Sequence, residues 1–124
     1  GDAAPGQAIV VDDLLHGTDL SGKGDVDAPL ERALGLKWNP GPGKFINTHI
    51  FASTDGLNFA YLGQTGAEDI QYFRFDANGT FAESGDWRKG PQNQTTYWFR
   101  VLALREEGGT AALNTGPVRF EIKE

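Results

Sequence analysis

The sequence predicts an all-β protein, an antiparallel two-sheet sandwich, and three observations carry that expectation. Glycine and proline, 17 and 6 of them in 124 residues, cut the chain into short segments, and no window of a dozen residues keeps a helical period of apolar side chains. Two segments, "INTHIFAS" and "TTYWFRVLAL", alternate with period two, the mark of a strand with one buried face. Turn signals separate such segments, Asp55-Gly56 foremost among them.

Taken in order, residues 1–30 are the least regular part: "QAIVVDDLL" can supply a first strand, whereas "HGTDLSGKGDVD" is loop-like. This N-terminal extension leads into a sandwich over residues 31–124. "APLERALGL" is read as the lead into a strand, since Leu34, Leu36 and Trp38 alternate with Gly35 and Lys37. "NPGPG" stops that strand, because proline cannot donate to a ladder. In the next strand Thr48, Ile50 and Ala52 alternate with His49, Phe51 and Ser53, and Asn58 to Leu62 returns after the Asp55-Gly56 turn. "DIQYFRF" (Asp69 to Phe75) follows, closed by a turn at "DANG". The segment Phe81 to Gln94 is polar and irregular. The last two strands are placed at Thr96 to Leu104 and Val118 to Ile122. Tyr97, Phe99, Val101 and Ala103 then line one sheet face, and Val118, Phe120 and Ile122 meet the same core. Tyr97, at the start of its strand, is expected to bury its ring and bond its hydroxyl back to the corner.

Composition narrows the partners. The formal net charge is -6, with 11 basic residues scattered among 17 acids. Nucleic acid is therefore excluded as a partner, since phosphate binding needs clustered Lys and Arg. No apolar run reaches the length of a membrane span, so no membrane insertion is expected. Cysteine is absent, which removes disulfides, thiolate metal sites and thiol nucleophiles.

Three stretches resemble a fibronectin type III domain of the wider immunoglobulin-like group: "LGLKWNP", "IFASTDGLNFAYLG" and "TTYWFRVLALREEGGTAALNTGPVRF". The resemblance spans residues 33–122. It implies that Trp38, in a Leu-x-Trp-x-Pro second strand, lies in the core. It also implies that Ser53, Asp55, Gly56 and Phe59 form a hairpin, and that Tyr97, Arg100, Val101 and Ala103 open a sixth strand. Two features depart from the family pattern, the N-terminal extension and the long connection before that sixth strand. No Arg-Gly-Asp tripeptide is present.

No catalytic residues are assigned, and the chain is expected not to be an enzyme. His16 and His49 lie far apart without a nucleophile motif, and no phosphate loop or catalytic elbow occurs. No metal site and no cofactor are expected: "DLSGKGDVD" and "DANGTFAE" lack the full spacing of a calcium loop and are read as acidic turns. Trp87, flanked by Asp86 and Arg88 in the polar connection, forms a glycan-binding candidate set, against the reading that Trp87 folds back to cap the sandwich.

The inward set on Thr96 to Leu104 forces Trp98, Arg100, Leu102 and Leu104 outward, with Phe51 and His49 beside them. Phe51, Trp98, Arg100, Leu102 and Leu104 are the partner-binding candidates, since a lone domain keeps such a face polar. The expected cover is the first thirty residues, the connection carrying Trp87, or another molecule, with self-coverage favoured. These readings combine into a non-enzymatic binding or assembly module, extracellular or at a cell surface, in a filament or a virion. A protein partner or its own subunits would engage the sheet face. The alternative is a carbohydrate-binding accessory module of a polysaccharide-degrading system.

Overall fold

In a computed structural model, residues 9–12, 33–65, 71–76 and 85–121 are described. Two antiparallel sheets stack face to face. The smaller is ordered β1 (Val10–Asp12), β2 (Leu34–Lys37), β5 (Tyr72–Phe75). The larger runs β4 (Ala60–Gln64), β3 (Phe45–Ser53), β6 (Thr95–Arg105), β7 (Thr110–Asn114), and β8 (Val118–Phe120) pairs with the start of β6. A four-residue helical turn, α1 (Gly85–Arg88), lies in the connection before β6.

The period-two pattern becomes the core. Tyr97, Phe99, Val101 and Ala103 are all at most 2 % exposed. Leu34, Leu36 and Phe75 of the smaller sheet, and Trp38 just past β2, meet them and are at most 3 % exposed. Phe75 stands edge-on to Tyr97 at 5.5 Å and to Phe99 at 6.0 Å, so one ring of the smaller sheet locks onto two rings of the larger. Edge-to-face contacts of this kind add stabilisation beyond the area they bury. Ile9, just ahead of β1, joins the same cluster.

Several boundaries differ from the sequence reading. The strand Thr110–Asn114 was not expected: "TAALN" has two alanines and a single buried apolar residue, Leu113, and alanine is a poor strand former. It exists because β6 offers it a ladder from Arg100 to Leu104. β7 and β8 both pair with β6, and Thr115 joins them: its N–H donates to Phe99 O and its Oγ1 accepts from Phe99 N–H, both at 2.9 Å. The returning strand β4 starts at Ala60 rather than Asn58, because the Asp55 carboxylate holds the Leu57 and Asn58 amides, both at 2.8 Å. A bulge at Leu62 then keeps Tyr61 and Gln64 on the same outer face, opposite Phe51 and His49. Ile122, the expected end of the last strand, lies outside the described residues, as does the whole of "DLSGKGDVD".

Candidate functional site

The outer face of the larger sheet is built by cross-strand register. Phe51 stands opposite Arg100, His49 opposite Leu102, and Asn47 opposite Leu104. Across the next ladder Arg100 faces Asn114, Leu102 faces Ala112, and Leu104 faces Thr110. The partner-binding candidates Phe51, Trp98, Arg100, Leu102 and Leu104 thus share one surface. They are less open than alternation alone suggests: the four apolar ones are half-buried and only Arg100 is exposed.

Neighbouring side chains account for this. The Arg100 guanidinium sits 4.2 Å from the centre of the Phe59 ring, and its Nε donates to Asn114 Oδ1 at 2.9 Å. Phe51 meets Tyr61 edge-on at 5.6 Å. The Tyr61 hydroxyl is 3.3 Å from His49 Nδ1, and partial burial pushes its pKa above the usual tyrosine value. Trp98 lies against Gly56 of the β3–β4 turn. The described part of the first thirty residues, β1 with Ile9, belongs to the other sheet and the core, and Trp87 packs at the core margin. Among the described residues, it is this short turn that lies over Trp98.

That turn is held by two side chains. Ser53 Oγ donates to Asp55 Oδ1 at 2.7 Å and accepts the amides of Asp55 and Gly56. Asp55 Oδ1 accepts the amides of Leu57 and Asn58, and Oδ2 accepts Asn58 Nδ2–H at 2.8 Å. These donors, the Asn58 amide first, hold the Asp55 carboxyl well below the usual carboxylate range.

The glycan candidates lie at one end of the sandwich. Trp87 is half-buried, with its ring 6.0 Å from Phe75 and 5.9 Å from Tyr97. Tyr97 is fixed in turn: the Gln92 backbone N–H donates to its hydroxyl at 2.7 Å, the corner bond expected from its position. Burial raises the Tyr97 pKa, against the opposing hydrogen bonds from Gln92 and the Thr95 side chain. Beside this corner an open cleft of about 290 Å³ is lined by Thr54 from the β3–β4 turn and Asp86 and Trp87 from α1. Gly90 and Gln92 from the lead into β6, with Thr95 and Tyr97 at the start of β6, are the other described residues of its wall. Arg88, the third glycan candidate, is exposed on the same helical turn and does not line the cleft. Sequence reasoning missed Thr54, Gln92 and Thr95, since no local pattern marks residues that only the hairpin and the corner bring together.

Among the described residues, no group of three or more His, Asp or Glu side chains is placed to hold a metal ion. No helix there is long and apolar enough to cross a membrane.

The two sheets, the tyrosine corner and the strand order define a sandwich of the fibronectin type III kind. A solved structure with that fold is the fn3 domain of human collagen alpha-1(XX) chain, which is similar with a TM-score of 0.55 and 20 % identity, over 100 % of this chain and 87 % of that one. No protein-family model matches the sequence, and no curated protein matches it.

Proposed function

We propose that this chain is a non-enzymatic binding or assembly module that engages a protein surface, a partner's or its own subunits', through the outer face of the larger sheet. One observation carries the reading. Phe51, Tyr61, Trp98 and Arg100 are clustered there with Leu102 and Leu104, and no Lys, Asp or Glu occupies the outward ladder positions opposite them. In a chain with 17 acids, that is a local depletion of carboxylates. Protein interfaces have this composition at their centres: aromatic residues and Arg enriched, Lys, Asp and Glu depleted. Half-burial suits such a role, because side chains already ordered by neighbours lose little entropy on docking. The fold of the collagen-chain domain is consistent with an extracellular, surface, filament or virion setting.

A photo-cross-linker placed at Leu102, in cells that make the protein, tests the reading. A cross-link to a second copy or to one discrete protein is expected, lost when Trp98 and Leu104 are changed to Thr, a residue that suits strands. The same probe at the exposed Glu107 should remain unlinked. Equal labelling from both positions would overturn the proposal.

A further inference from the structure

The cleft beside the tyrosine corner is separate from the sheet face, and its walls are chemically specific. Its lining joins the half-buried Trp87 and the buried Tyr97 to the polar residues Thr54, Asp86, Gln92 and Thr95. We propose that this cleft is a binding site for a neutral sugar, one or two rings of an uncharged glycan.

Size, chemistry and charge converge on that ligand. A cleft of about 290 Å³ stands at the small end of ligand pockets, which run from about 300 Å³ upward, and so suits a sugar ring better than a peptide strand or helix. A pyranose presents a C–H face to an aromatic ring and hydroxyls around its edge. The half-buried Trp87 indole can take that face, and Thr54, Asp86, Gln92 and Thr95 supply hydroxyl, carboxylate and amide groups for the edge. Among the described residues Asp86 is the one charged residue in the lining, and no Lys or Arg lines the cleft to receive a carboxylate, sulfate or phosphate, so a neutral sugar is favoured over an acidic one.

The walls are set before any ligand arrives. Phe75 and Tyr97 hold the Trp87 ring, the Gln92 N–H holds the Tyr97 hydroxyl, and Gln92 Nε2 donates to Gly90 O at 3.1 Å. Asp86 pairs with Lys89 at 3.6 Å, but both side chains are largely exposed. Such a pair is weak and gives way to a ligand hydroxyl readily.

Nitrogen–proton correlation NMR of the full chain tests the site. The probes are glucose, galactose, N-acetylglucosamine, cellobiose and chitobiose up to ~50 mM, a ceiling that detects millimolar Kd values, with glucuronate as the anionic comparison. At least one neutral sugar is expected to shift the Trp87 indole N–H and the Gln92 and Thr95 amides, and glucuronate to bind roughly tenfold more weakly or not at all. Trp87 also touches the core, so the variants that leave packing intact are Asp86→Ala and Thr54→Val, both at exposed positions. Each should weaken binding severalfold with an unchanged unfolding midpoint. The proposal is overturned if no neutral sugar in the panel shifts these signals, if the shifts map to Leu102 and its neighbours, or if glucuronate binds as well as glucose. Shifts at Leu102 alone would leave the sheet-face reading standing, so the two proposals fail separately.

Discussion

The indole of Trp98 lies directly on the α-carbon of Gly56: a Cβ placed there would meet Trp98 Cε2 at 3.2 Å and Nε1 at 3.4 Å. Gly56 also has a φ of +75°, the left-handed region that glycine alone enters without penalty. One residue thus serves two ends. It closes the β3–β4 turn, and it lets that turn lie on the ring that β6 pushes outward. Trp98 would otherwise present an open indole, and this contact explains why it is half-buried in an isolated chain.

Gly56→Ala is expected to lower stability by about 1–3 kcal/mol, the range for a non-glycine residue held in a sparsely populated backbone region, with the Trp98 contact adding to it. Chemical denaturation measures the loss. In a Trp98→Thr background the same change should cost less, because only the backbone part remains. An identical loss in both backgrounds would mean that the ring does not press on the turn.

Asp55 makes the turn sensitive to acid. Its folded pKa is held well below the usual value by the amides of Asn58 and Leu57, the Asn58 side chain and Ser53. A depressed carboxyl stabilises the fold fully above its unfolded pKa, near 4, and that contribution is lost as pH falls through the folded value. The urea midpoints of the parent and Asp55→Asn should therefore differ most near neutral pH and converge in strong acid. A difference that does not change with pH would rule out the ionised carboxylate as its source.

Trp38, the residue after β2, is 3 % exposed inside the core cluster. Trp38→Ala should cost about 3–5 kcal/mol, as deletion of a large buried aromatic does. Its indole N–H is buried without an acceptor among the described residues, so Trp38→Phe keeps most of the ring and removes an unpaired donor. The Phe variant should therefore recover most of the loss, and equal loss in both variants would show that the indole N–H matters more than ring volume.

Much of this molecule was legible in the chain itself. Side chains alternate strictly along a strand, so Tyr97, Phe99, Val101 and Ala103 had to face opposite to Trp98, Arg100, Leu102 and Leu104, and the burial follows that division. The Ser53-x-Asp55-Gly56 turn was readable too, because its hydrogen bonds span at most three residues. The rest depended on contacts between residues distant in sequence. Strand β7 has a weak local signal and forms because β6 supplies its ladder. Gly56 shields Trp98 across 42 positions of sequence, which no periodicity encodes. Thr54, Trp87 and Tyr97 come together only when the hairpin, α1 and the corner are in place. Local pattern determines which face a side chain takes; the tertiary fold alone decides what it meets there.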